Sequence, residues 1–431
     1  MSVEKLVEIQ KFLYRDIKSV DICLRIVVYY AVKRGVIMVQ RKQYMNKLIN
    51  MKDEKIIRVI TGIRRCGKST LLLMFQEYLK QHGVADGQIL SVNFEDMQYE
   101  PLLDYRKLYE YVTARLAAGR KTYVFLDEIQ SVSGFQKVVD SLYIKDNVDV
   151  YITGSNAHLL SGDLATLLAG RYIEINMLPL SFAEYFEMKG GVKRDAFTDY
   201  YLKGAFPQAA AIADDGIRSD YVRGLYNTVL LKDIVARKKI ANVELLESVT
   251  RFLLDNIGNI VSSNKIADSL TSYGRKTTSM TVENYVSALL DAYVLYKATR
   301  YDVKGKQHLK SLEKYYVADI SLRHLVLGER NRDIGRILEN IVFLELVRRG
   351  YTVRIGKVGE KKVDFVATAG DQRMYYQVAA SVLDPATFER EFAPLRLIKD
   401  HYPKFVLTMD DLPSGQDGIR QMNIVDFLLE S

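Results

Sequence analysis

The chain has 431 residues, too many for one ordinary domain and enough for two to four compact units at roughly 100–200 residues each. Its 61 Lys and Arg against 53 Asp and Glu give a mildly basic balance, which helps an anionic partner without requiring one. Two cysteines, Cys23 and Cys66, exclude a disulfide framework and a thiolate metal cluster, and point to a reducing, cytoplasmic compartment.

The most apolar N-terminal run, VDICLRIVVYYAVKRG, is interrupted by Asp21 and Arg25, and no small-residue cleavage site follows it. It reads as an amphipathic helix rather than a signal peptide or a membrane span. No internal repeat or low-complexity tract marks a boundary, so the order of motifs has to.

Gly62, Gly67, Lys68 and Ser69 fit the spacing G-x-x-x-x-G-K-[ST], between the apolar run IIRVI and the helix-periodic TLLLMFQEYL. The glycines let backbone N–H groups curl around a phosphate, the helix N-terminus adds its positive end, and Lys68 brings a point charge to the outer phosphates. With Arg65 and Thr70 these residues form the expected cradle for ATP, and Ser69 is an expected magnesium ligand. QILSVNFED reads as a second strand. TYVFLDEIQ is a third, ending in Asp127 and Glu128: Asp127 is expected to hold magnesium through water, and Glu128 to orient and deprotonate the attacking water.

VDVYITGSNAHLL is a strand ending in Thr153, Ser155 and Asn156, and Asn156 is expected to touch the outer phosphate or the attacking water. Arg171 then opens a fifth strand, with two readings open: a finger on a neighbour's nucleotide in a homo-oligomer, or the partner of a carboxylate.

In this order, ITGIRRCGKST, NFED, FLDEIQ, YITGSNA, LAGRY and LPLSFAEY resemble the AAA-type P-loop ATPases of bacteria and archaea that carry a C-terminal restriction-endonuclease-like domain of unknown function. The likeness covers about residues 38–431. It implies an α/β P-loop NTPase with a five-stranded parallel sheet, the phosphate-loop strand in the middle, across residues 38–215 with its helical end. Residues 1–37 fall outside it as an N-terminal extension, and Met38, heading MVQRKQYMNKLI, matches the usual family start. Arg64 and Arg65 match the family pattern, to steer the anionic nucleotide or to pair with an acid such as Glu95 or Asp96.

Residues 216–334 read as a winged helix-turn-helix. SSNKIADSL, the turn SYGRKT and MTVENYVSALLDAYVL give helix, turn, helix, the last with Val282, Tyr285, Val286, Leu289, Leu290 and Tyr293 on one apolar face. A hairpin with the tip Lys304-Gly305-Lys306 follows. This segment holds most of the positive surplus, which favours non-specific DNA, yet the polar face of the second helix carries Glu283, Asn284, Ser287 and Asp291 without a basic residue. Arg275, Lys276, Lys304 and Lys306 are therefore the candidate DNA contacts, and a purely structural winged helix, or one that docks an unidentified protein partner, is the alternative.

Residues 335–431 resemble the restriction-endonuclease fold. Glu339 matches its helix acid and Asp364 its strand acid, but Gln377 replaces the next acid and Ala379 stands where a lysine is expected. Two carboxylates and an amide make a poor magnesium site, so this centre is expected to be degenerate. The reading is a magnesium-dependent ATPase whose nucleotide state repositions the winged helix and the nuclease-like module, on DNA in one version. The alternatives are a signalling switch that assembles on ATP and docks a protein, and an active nuclease coupled to ATP. No membrane partner is expected.

Overall fold

The computed structural model describes residues 39–157, 170–303, 305, 307–329, 333–411 and 415–430. The N-terminal amphipathic stretch, Met38, Lys304 and Lys306 lie outside these residues. No helix among the described residues is long and apolar enough to cross a membrane.

Five parallel strands carry the first unit: β1 (Ile57–Thr61), β2 (Ile89–Asn93), β3 (Thr122–Asp127), β4 (Val148–Gly154) and β5 (Tyr172–Asn176), in the order β2-β3-β4-β1-β5. Every residue of β1, β3 and β4 is buried, as in parallel strands covered on both faces. The phosphate-loop strand β1 is interior but second from the edge rather than central, because β2, β3 and β4 all add on one flank and β5 alone on the other.

Helices α1 (Lys42–Asn50) and α2 (Lys68–Gln81) cover one face, where Tyr44, Leu71 and Phe75 meet Ile60, Phe125 and Tyr151. Helices α3 (Tyr105–Thr113) and α4 (Phe135–Tyr143) cover the other through Leu108, Val112, Val138 and Leu142. Arg58 is fully buried in β1, where it pairs with Asp149 and lies 4.9 Å from the centre of the Tyr151 ring.

The helical continuation comprises α5 (Phe182–Lys189), α6 (Lys193–Lys203), α7 (Pro207–Ala211) and α8 (Asp215–Thr228), which runs on as π-helix over Val229–Ala236. Then come α9 (Val243–Asp255), β6 (Ile260–Val261), α10 (Ser263–Ser272), α11 (Ser279–Asp291), and the antiparallel pair β7 (Leu295–Asp302) and β8 (Gln307–Val317). Asn242, Ser262 and Thr278 cap α9, α10 and α11 by accepting a backbone N–H in each first turn. The helix, turn, helix and hairpin occur in the order that the sequence pattern gives.

The remaining elements are α12 (Ile320–Leu327), α13 (Ile334–Arg348), β9 (Thr352–Val358), β10 (Lys361–Ala369), β11 (Gln372–Val378), α14 (Pro385–Arg396), β12 (Lys404–Thr408), β13 (Gly415–Gln416), β14 (Ile419–Asn423) and α15 (Ile424–Leu429). Nine strands form one mixed sheet, β13-β14-β12-β11-β10-β9-β7-β8-β6. Strand β7 pairs in parallel with β9 from Arg300↔Ile355 to Asp302↔Lys357, so the sheet crosses the boundary expected at residue 334. Gly356, opposite Tyr301 on β7, also lets β9 lie close against β10: a Cβ there would lie 2.9 Å from the Val363 Cβ. The hairpin and the C-terminal strands are thus one structural unit.

Candidate functional site

The loop between β1 and α2 owes its shape to residues that tolerate unusual backbone. Gly62 has φ +141°, and a side chain there would stand 2.1 Å from the Met177 carbonyl oxygen, so only glycine fits. Arg65 (φ 66°) and Gly67 (φ +106°) are left-handed as well, and the chain enters α2 at Lys68. Lys68 is buried; its Nζ donates to the Gly62 and Ile63 carbonyls at 3.1 and 3.4 Å and lies 3.5 Å from Glu128 Oε1. Ser69 and Thr70 are exposed at the helix start. A cleft of about 460 Å³ is lined by Arg65, Lys68, Ser69, Thr70 and Glu128 together with the apolar Val39, Leu180, Met188, Pro207 and the ring of Tyr221.

Strands β3 and β4 bring the acids to this cleft. Thr153 at the end of β4 donates to Asp127 and accepts the Glu128 N–H at 2.9 Å, which fixes the turn in which Glu128 takes φ 56°. Ser155 donates to Glu128 Oε2 at 3.2 Å, and Gln130 donates to the same oxygen. Burial pushes the Glu128 carboxyl up, but Lys68, Gln130, Arg64 and Ser155 outweigh it and hold the group below the usual range. Burial raises the Asp127 carboxyl despite hydrogen bonds from Thr153 and Ser69. That Ser69–Asp127 contact brings together two hard oxygen ligands of the kind magnesium takes. Asn156 is buried beside this strand end and has partners of its own.

Comparison with known proteins agrees with this geometry. A model described as "AAA domain" matches residues 54–186, and one described as a domain of unknown function (DUF8612) matches residues 194–333. An uncharacterized protein of Haemophilus influenzae is 39% identical over 400 residues, covering 91% of this chain and 99% of its own length. The chain belongs to the AAA family of P-loop ATPases. An uncharacterized protein of Methanocaldococcus jannaschii is 31% identical over 309 residues, covering 68% of this chain and 67% of its own. Among solved structures, the Walker-type ATPase of Pyrococcus abyssi is similar to 67% of this chain and 96% of its own, at 14% identity and a TM-score of 0.45.

In this AAA chain the arginines divide by task. Arg64 pairs with Glu95 and lies 3.6 Å from Asp233, which sits on the π-helical segment and whose carboxyl burial pushes up against the pull of Arg64 and Arg237. Arg65 is exposed at the cleft. Arg171 pairs with Asp140 over the Tyr143 ring. Since Ile57 and Tyr172 are in register, Arg171 lies at the strand end opposite the phosphate loop, about 16 Å away for five residues at 3.3 Å each.

Sequence reasoning missed Arg41. Its buried guanidinium donates to the Cys66 carbonyl of the phosphate loop at 3.0 Å, to the Leu178 carbonyl at 2.6 Å and to Glu184 at 3.0 Å. Glu184 also faces Arg348 of α13 at 3.9 Å, and Arg348 pairs with Glu345 at 3.3 Å. A chain of buried charges therefore joins the phosphate loop to the helix that packs on the C-terminal sheet. Its members lie far apart in sequence, and no local pattern announces them.

The nuclease-like residues also meet, with two additions. Glu339 and Asp364 face each other across Lys314 of β8, 2.7 Å from Glu339 Oε1 and 3.6 Å from Asp364 Oδ1. Burial lowers the Lys314 ammonium's pKa, but the two carboxylates outweigh it and hold the group charged. Gln377 accepts the Asp364 N–H at 2.7 Å and donates to Glu391 of α14 at 2.7 Å. Among the described residues no three His, Cys, Asp or Glu form a metal-binding group, and with Lys314 between Glu339 and Asp364 the donors here do not fit a divalent ion. Of the DNA-contact candidates, Arg275 donates to the Glu244 carbonyl at 2.9 Å and to Ser248, Lys276 is exposed, and Lys304 and Lys306 lie outside the described residues.

Proposed function

We propose that the chain binds and hydrolyses ATP with magnesium, and that nucleotide state reaches the C-terminal sheet through Arg41, Glu184 and Arg348. The observation that carries this is the Lys68 ammonium 3.5 Å from Glu128 in an open cleft. Arriving phosphates compete for Lys68, whose present partners are two carbonyls and one carboxylate at 3.1–3.5 Å. As Lys68 turns to phosphate, Glu128 loses its nearest cation and becomes a better base, with Ser155 and Thr153 holding its orientation. Ser69 and Asp127 would hold magnesium, which neutralises phosphate charge. The apolar side chains in the cleft lining, Pro207 and Tyr221 among them, suit the base.

Arg171 is too far to serve its own cleft and pairs with Asp140, as the carboxylate reading expects; acting as a finger on a second copy in a homo-oligomer would require that pair to open. Arg275 is engaged within the chain, which supports a structural or protein-docking winged helix over a DNA-binding one. Phosphate release by wild type and Lys68→Ala, with hydrogen exchange of α13 followed with and without ATP, tests the reading. Release should vanish in Lys68→Ala, and ATP should slow α13 exchange in wild type but not in Arg348→Met. Equal release by Lys68→Ala and wild type contradicts the site; equal α13 responses in wild type and Arg348→Met contradict the coupling.

A further inference from the structure

The C-terminal centre has the two acids expected of a metal site, yet a buried lysine already lies between them and engages an oxygen of each. Lys314 comes from β8, beyond the segment that carries the nuclease-like pattern, and its side chain is 8% exposed. Its ammonium donates to Glu339 Oε1 at 2.7 Å, and the Tyr316 hydroxyl, two residues along the same strand, donates to the same oxygen at 2.7 Å. Asp364 Oδ1 faces the ammonium at 3.6 Å and Oδ2 accepts the Val378 N–H at 3.0 Å. Glu391 is taken by Gln377 and Arg390, at 2.7 and 2.9 Å. A hard divalent ion needs several free oxygen ligands and would have to sit against a buried ammonium of like sign.

We propose that Lys314 is a resident cation that fills the place of the metal, closing the centre against divalent ions and fastening β8 to α13 and β10. The missing lysine of the C-terminal pattern and the lysine found in the centre then have different tasks. A lysine that assists cleavage stands beside a bound metal, whereas this one lies between the two carboxylates that would bind it. The module is consequently a fixed body joined to the hairpin, and does not cut nucleic acid.

The test is a titration of nucleotide-free, full-length protein with Mn²⁺, read by the fraction of free ion and by the melting temperature. Wild type and Asp364→Asn should bind alike, with no Asp364-dependent site. Lys314→Met should melt lower without metal and gain one Mn²⁺ site per chain, at least ten-fold tighter than any in wild type. Mn²⁺ should raise its melting temperature, and Lys314→Met/Asp364→Asn should lose both effects. Lys314→Arg, which keeps the positive charge, should gain no site. A folded Lys314→Met that binds no additional Mn²⁺ overturns the proposal. So does an Asp364-dependent Mn²⁺ site in wild type, a result readable even if Lys314→Met fails to fold. Asp364-dependent cutting of DNA by wild type would make Lys314 a catalytic residue instead.

Discussion

Two buried lysines face carboxylates in this molecule, and the difference between them separates a working site from a closed one. Lys68 rests on two loop carbonyls and on Glu128 at 3.1–3.5 Å, in a cleft with exposed Ser69 and Thr70 beside it. Lys314 is held at 2.7 Å by a carboxylate that Tyr316 also binds. Loose, displaceable partners leave a cation free to meet a phosphate; short bonds among buried groups make it part of the structure. Residue type alone does not distinguish the two.

The comparison breaks most visibly at the edge of the open site, because the proposed finger must come from another copy. Arg171→Ala should slow turnover by about 10³-fold or more, and mixing it with Lys68→Ala should restore part of the activity. Mixed proteins that assemble yet remain inactive would remove the trans assignment.

Stability sharpens it next. Lys314→Ala leaves two half-buried acids facing each other without their cation and should cost up to about 3 kcal/mol in denaturant unfolding. Lys68→Ala should change stability less, since Glu128 keeps Gln130, Ser155 and Arg64 as partners when the lysine is gone. Similar losses in both variants would erase the distinction between the two lysines. For nucleotide affinity, Lys68→Ala removes a charged hydrogen bond worth roughly 1.5–3 kcal/mol, so ATP binding should weaken by about 10- to 100-fold in equilibrium titration.

The smallest effect concerns DNA. If Lys276 touches phosphate, Lys276→Ala should lower the slope of log affinity against log salt by about one unit for any duplex sequence. An unchanged slope leaves the turn without a DNA role and supports docking of a protein.

The first unit was legible because its signals are local. Gly62, Gly67, Lys68 and Ser69 sit within eight residues of one another, and the buried-strand run before Asp127 marks a strand end by itself. The Arg64–Glu95 pair was one of the pairings that the sequence suggests, and it forms. What escaped is held together by tertiary structure. Arg41 precedes the loop motif by more than twenty residues, and its partners Leu178 and Glu184 arrive from beyond β5. Lys314 and Glu391 flank the nuclease-like pattern from a hairpin and a later helix, so neither falls at a motif position. The joining of β7 to β9 was also invisible, because a strand pattern gives alternation but does not name the neighbour.

Glu128→Gln, measured for Mg-ATP binding and phosphate release in the same preparation, tests the central claim most directly. The amide keeps the shape and the Ser155 contact but cannot take a proton, so binding should stay within a few-fold of wild type while release falls by about 10²- to 10⁴-fold. Release at the wild-type rate would contradict the account, because Glu128 would then not be the base that the open lysine site serves.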